Sequence, residues 1–209
     1  MGSSRITNNS YRNYIEKFMA RKSAIDLMPF FQPTGNPAKE ITESYAMWET
    51  AKLLGLDSKD EVVCIVVGDG STPRTAALVA FSSVWECHSI DPKINLLNWQ
   101  ETLSRHIAIG EPIRRLEIYP KYAKEVSIDC QGKRTLILLP HSHANMKDAL
   151  DVAKNSSRID IISMPCCEPI PSWAMEKKFT LKHNLKVFDD EAVWSPKRRI
   201  FIWEDMGNI

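Results

Sequence analysis

The chain has 209 residues, 44% hydrophobic and 25% charged, and its 27 Lys+Arg against 26 Asp+Glu leave a net charge of +1. That length and composition suit one globular domain with a full core and exclude a low-complexity or disordered chain. Near-neutral charge excludes a global field drawing the protein to nucleic acid, though a local basic face stays open.

The five cysteines are an odd number without framework spacing, and Cys166 and Cys167 are adjacent. A reducing, intracellular setting is the simpler expectation. No secretory apolar segment and no apolar run of about 18 residues is present, so no membrane contact is expected.

Residues 1–10 are polar. Tyr11–Lys22 predicts a short helix with Tyr14, Ile15, Phe18 and Met19 on one side. Met28–Pro37 carries three prolines and a glycine and predicts a Phe-rich loop. Residues 1–36 are therefore expected to form an arm laid over a domain spanning 37–209. Asn36-Pro37 is an N-cap followed by a first-turn proline, and Ile41, Tyr45, Trp48 and Ala51 recur at helical spacing up to Gly55. That aromatic stripe predicts a core-facing helix.

Val62–Val67 is an apolar, β-branched run that suits a strand buried on both faces of a parallel sheet. Gly68 and Gly70 follow, where backbone with positive φ can approach a ligand closely. Thr72 and Pro73 predict an N-cap and first-turn proline for an apolar helix over Thr75–Phe81. Trp85–Ile90 predicts a second strand ending at Asp91. Twenty-one positions separate Gly70 from Asp91, close to the roughly 20 between a Gly-rich turn and the acid that grips ribose hydroxyls in a dinucleotide fold. Structurally, the same features also read as a common βα turn followed by an Asp-Pro turn.

Leu96–Ile109 predicts a helix, Arg115–Tyr119 a third strand and Thr135–Leu139 a fourth. Met146–Lys154 predicts a helix capped by Asn145, and Arg158–Met164 a fifth strand. Leu185–Phe188 and Arg198–Trp203 have no helical pattern between them and predict an antiparallel pair. The alternation implies an α/β fold, a mostly parallel sheet with helices on both faces.

The turn does not fit two familiar phosphate binders. Pro73 stands where a dinucleotide fingerprint has its third glycine, and no Gly-Lys-Ser/Thr closes a P-loop. GDGSTPRT followed by SIDP resembles instead the class I, Rossmann-like family of S-adenosylmethionine-dependent methyltransferases. The resemblance covers about residues 37–204 and implies a sheet of about seven strands, with a reversed strand inserted beside the fifth. It also implies S-adenosylmethionine as cofactor, lying over Gly68, Asp69 and Gly70 with Val67 and Ser71 beside them, and ribose held at Asp91-Pro92. The family usually has an acid two places before the first glycine, where this chain has Val66; Asp69 is one replacement for its contact with the methionine end.

Ligands of open α/β sheets bind beyond the carboxyl ends of the strands. The segments there are LLPHSHAN and SMPCCEPIPSW, which put His141, His143, Cys166 and Glu168 forward as catalytic residues. Three chemistries compete for this rim. A thiolate at Cys166 or Cys167 could add to a pyrimidine, as in RNA cytosine-5 methyltransferases, although Pro140-His141 replaces the Pro-Cys those enzymes carry after the fourth strand. Histidine and cysteine are also zinc ligands, but this spacing fits no standard site. In the third, the sulfurs line an acceptor pocket with a histidine as base, as in a resembling branch of RNA-modifying methyltransferase-like domains. Structurally, the cysteines also read as small buried hydrophobes and the histidines as caps.

Lys197-Arg198-Arg199 with Trp194 and Trp203, Arg114-Arg115, and Lys121 with Lys124 are candidate phosphate contacts. The sequence therefore predicts a methyltransferase for a nucleic-acid (RNA) base or other polar acceptor, with an inactive binding or assembly subunit, engaging a partner protein, as the alternative.

Overall fold

A computed structural model of the chain describes residues 10–95, 115–166 and 185–206. The run Val62–Val67 is a strand, β1, with all six residues buried. It is an interior strand, third from one edge, of a seven-stranded sheet. The others are β2 (Glu86–Ile90), β3 (Leu116–Tyr119), β5 (Arg134–Pro140), β7 (Arg158–Met164), β8 (Leu185–Asp189) and β9 (Arg199–Trp203), in spatial order β3-β2-β1-β5-β7-β9-β8. The first five pair in parallel, and β9 is inserted antiparallel between β7 and β8. β4 (Ile128–Asp129) and β6 (Ala153–Lys154) make a separate two-residue parallel bridge.

Alternation along β1 sends its side chains to two cores. Val62, Cys64 and Val66 join the cluster under helices α1 (Ser10–Met19), α2 (Ala24–Phe31), α3 (Pro37–Leu53) and α4 (Arg74–Ala80). Val63, Ile65 and Val67 join the opposite cluster with α5 (Met146–Val152). Helices on both faces of a mostly parallel sheet are the predicted architecture. The expected helix over Leu96–Ile109 lies outside the described residues.

Several local expectations are corrected. The loop expected from Met28 is helical through Phe31, with Pro29 inside α2. An interior proline costs about 3 kcal/mol. Leu27, Phe30 and Phe31 are each at most 2% exposed, and burying such side chains contributes about 1.5–3 kcal/mol apiece, which outweighs that cost. The first helix stops at Met19, which is 57% exposed rather than packed. The helix after Asn145 ends at Val152, because Ala153 and Lys154 pair with Ile128 and Asp129. Tyr14, Phe18, Leu27, Phe30 and Phe31 belong to the same buried cluster as Val62 and Val66, so α1 and α2 pack into the core. Among the described residues no helix is long and apolar enough to cross a membrane.

Beside the β2–β3 edge lies a buried polar group. His88, with its side chain 3% exposed, has Nε2 3.2 Å from Glu86 Oε1 and Nδ1 3.8 Å from Glu117 Oε2. Tyr119 lies 3.4 Å from Nδ1, and Lys133 holds the far oxygen of Glu86. Burial lowers the His88 pKa, opposed by Glu86 and then Glu117. A depressed folded value means that the stability is present above the unfolded value near 6.5 and is lost as pH falls through the folded one. The melting temperature of the wild type is therefore expected to drop more between pH 7.5 and 5.5 than that of His88→Gln. Equal drops would remove His88 from the acid response.

Candidate functional site

The chain leaves β1 through two glycines in the left-handed region, Gly68 at φ 83° and Gly70 at φ 86°. Gly68 N–H donates to Ile90 O at 2.8 Å, tying the turn to the end of β2. Close approach is required at Gly68, where Ser142 also brings its Cα within 2.9 Å of a would-be Cβ; at Gly70 the positive φ is the constraint. A Cβ on Gly68 would lie 2.6 Å from Ser142 Oγ, and one on Gly70 would lie 2.6 Å from Arg74 Nη2.

Asp69, between them, is 2% exposed and points inward. Its carboxylate accepts from Thr75 N at 2.9 Å, Ala76 N at 3.1 Å and Ser89 Oγ at 2.9 Å. Asp69 is thus what caps α4, from outside the helix. The expected N-cap, Thr72, instead donates its hydroxyl to Phe30 O at 2.7 Å, and Pro73 occupies the capping position without a side-chain bond.

Asp91 lies across the turn. Its Oδ2 accepts from Gly70 N at 2.9 Å and its Oδ1 from Lys93 N at 2.7 Å. A carboxylate offers about four lone-pair positions, so two are committed and two are left for other donors. Val67 is buried, while Ser71 and Pro92 are exposed at the lip of the turn.

The ends of the fourth and fifth parallel strands meet at the same edge. Pro140 pairs with Met164 in register, and His141 N–H donates to Met164 O at 2.9 Å. His141 itself takes φ 53°, a left-handed conformation unusual outside glycine, which turns the chain sharply out of the sheet. Cys166 Sγ then lies 3.3 Å from His143 Nε2 and 3.7 Å from His141 O. His141, His143 and Cys166 therefore converge on one rim. Cys167 and Glu168 lie outside the described residues. Among the described residues no group of three or more histidine, cysteine or acidic side chains is arranged to hold a metal ion.

A chain of charges runs along the first turns of α3 and links the glycine turn to this rim. Arg74 Nη2 is 3.2 Å from Glu40 Oε2, and Lys39 Nζ lies 3.3 Å from Glu40 Oε1 and 3.0 Å from Glu43 Oε2. Burial works against the charge of Lys39, but Glu43 and then Glu40 hold its pKa above the ordinary lysine value. Glu43, with its side chain 3% exposed, puts Oε1 2.6 Å from His141 Nε2. That short contact is not aligned as a hydrogen bond, and among the described residues His141 Nδ1 has no hydrogen-bond partner either.

No family model and no curated protein matches the sequence. Among solved structures, the chain is similar over 95% of its length to 73% of a mutant of MtNAS in complex with S-adenosylmethionine, at 8% identity and a TM-score of 0.52. The chain has the class I methyltransferase fold. A human methyltransferase 10 domain containing protein is similar at 13% identity over 78% of this chain and 81% of that one, with a TM-score of 0.48. The 16S rRNA (adenine(1408)-N(1))-methyltransferase of Catenulisporales acidiphilia is similar at 17% identity over 76% and 89%, with a TM-score of 0.42.

On this fold, part of the basic clusters is engaged within the protein. Arg198 pairs with Glu191 at 2.9 Å, and Arg199 grips Asp189 at 2.8 Å and 3.3 Å. Arg115 donates to Val84 O, and Lys124 lies over the Tyr122 ring. Trp203 is fully buried. Arg114 lies outside the described residues. The residues that sequence reasoning missed are Lys39, Glu40, Glu43 and Arg74. The four-residue spacing of Lys39 and Glu43 was the one local signal; nothing in the sequence joins Glu43 to His141.

Proposed function

We propose that this chain binds S-adenosylmethionine over the Gly68–Gly70 turn and transfers its methyl group to a polar acceptor presented at the rim of His143 and Cys166. The observation that carries the reading is Asp91. Its carboxylate stands at the end of β2 facing the glycine turn, with lone pairs to spare for a ribose diol. The cofactor supplies an electrophilic methyl group, and the chain's part is to hold the acceptor in line and exclude misaligned approaches. Where the acceptor is neutral, His143 is the group placed to take its proton. Cys166, within reach of that imidazole, lines the pocket.

We assign the acceptor as a nucleic-acid base, RNA first, on the chemistry of the rim. Lys121 and Lys197, exposed beside Tyr122 and Trp194, are the cations open to phosphate. The alternative is an inactive subunit that kept the fold, favoured by Val66 in place of the usual acid and Pro73 in place of the third glycine.

Calorimetric titration tests the cofactor reading. Asp91→Ala is expected to weaken S-adenosylmethionine binding by about 10- to 150-fold, the loss of hydrogen bonds to a charged acceptor. Because Asp91 also holds Gly70 N–H, the melting temperature without ligand is measured alongside, separating a lost contact from a loosened turn. Equal affinity in both proteins would refute the ribose assignment. No binding to the wild type would favour the inactive subunit.

A further inference from the structure

We propose that Glu43 and His141 form the seat for the amino-acid end of the cofactor, Glu43 Oε1 receiving the α-ammonium and His141 Nε2–H donating to the α-carboxylate. This rests on the cofactor reading above and adds to it a carboxylate from the helix before β1.

The Glu43–His141 contact holds an unmet demand. Among the described residues, the buried atoms Glu43 Oε1, His141 Nε2 and His141 Nδ1 make no aligned hydrogen bond; Oε1 and Nε2 meet only as an ion-pair contact at 2.6 Å. Buried polar atoms are nearly always paired, so neighbouring orphans at the edge of a binding site call for a missing partner. An ammonium and a carboxylate together supply the donor that Glu43 lacks and the acceptor that Nε2–H lacks. A zwitterionic amino-acid group carries both on one carbon.

Location agrees with this demand. β1 and β5 are adjacent, with Val66 opposite Leu138, so Gly68 and Pro140 leave the sheet side by side and Ser142 rests against Gly68. His141 lies between Pro140 and Ser142, next to the glycine turn. On the other side, Arg74 reaches from Gly70 to Glu40, and Lys39 spans Glu40 and Glu43. Arg74 and Lys39 against Glu40 and Glu43 make a neutral cluster, so what Glu43 Oε1 lacks is an aligned donor, which an ammonium supplies together with its own carboxylate.

The competing carboxylates do not serve. Position 66 is a valine, and Asp69 is buried and turned inward onto Thr75, Ala76 and Ser89. The two partners also differ in their surroundings. Glu43 is held in the second turn of a 17-residue helix with its side chain 3% exposed, whereas His141, 17% exposed by its side chain, sits in a left-handed turn. Admission of the ligand swings the imidazole away from Glu43 and leaves the carboxylate in place.

The test uses two ligands that share adenosine and a thioether. S-adenosylhomocysteine carries the amino-acid end and 5′-methylthioadenosine does not. In calorimetric titrations, Glu43→Gln is expected to weaken S-adenosylhomocysteine by roughly 10- to 100-fold and to leave 5′-methylthioadenosine within about twofold. Should Glu43→Gln fail to fold by circular dichroism, His141→Asn takes its place, since asparagine tolerates the left-handed turn. The same selective loss, of about fivefold or more, is expected there. Unchanged S-adenosylhomocysteine affinity, or equal losses for both ligands, would overturn the seat while leaving the cofactor reading standing. Absence of binding of either ligand to the wild type would overturn both.

Discussion

Asp69→Ala is expected to lower the melting temperature by roughly 6–12 °C, a loss of about 3 kcal/mol in a domain of this size. The side chain caps α4 through Thr75 N and Ala76 N and holds Ser89 Oγ, so its removal orphans three buried donors. Relief of a buried charge returns part of that cost. Burial raises the Asp69 carboxyl above the usual range, against the lowering influence of Arg74, the two backbone N–H groups and Ser89. A raised folded value means that this linked stability is fully present below the unfolded value and is lost as pH rises through the folded one. The gap between wild type and Asp69→Ala should therefore narrow with rising pH. Thermal melts at several pH values check both points. A shift under 2 °C at every pH would show that the capping bonds are not what holds the turn.

Phe31→Ala is expected to cost about 3–5 kcal/mol, the range for a large aromatic removed from a packed core. Phe31 is fully buried and meets Phe18 edge-on at 5.3 Å between ring centroids. Its neighbour Phe30 offers the carbonyl that Thr72 holds, so the arm is bonded directly to the residue behind the glycine turn. An arm merely lying on the surface would lose about 0.5 kcal/mol or less on the same substitution. Urea unfolding at constant pH distinguishes the two cases. A small loss would place residues 10–36 outside the cooperative core despite their burial.

These two variants mark where reading the chain succeeded and where it stopped. The strands Val62–Val67 and Arg158–Met164 were legible because a continuous β-branched run between turn residues has few other ways to bury itself. The α3 boundary was legible because Asn36-Pro37 is local chemistry, and Asn36 does accept from Lys39 N. The reversed final strand followed from the absence of a helical pattern between the last two apolar runs. Pro29 misled, because a proline's local penalty is visible in sequence while the burial that offsets it is not.

The site divides along the same line. The sequence by itself determined that a glycine turn and an acid at the next strand end would meet, since both follow from a βαβ unit of ordinary length, and Gly70 N–H on Asp91 is that meeting. That His141, His143 and Cys166 share an edge depended on the strand order that the family resemblance implies, and the β5–β7 pairing has that order. Only the tertiary structure decided what each side chain faces. Asp69 turns inward to cap a helix, and Glu43 reaches the end of β5 from a helix far earlier in the chain. Periodicity records which residues face the core, but a contact between side chains remote in sequence exists only once the sheet has closed and the helices have packed on it.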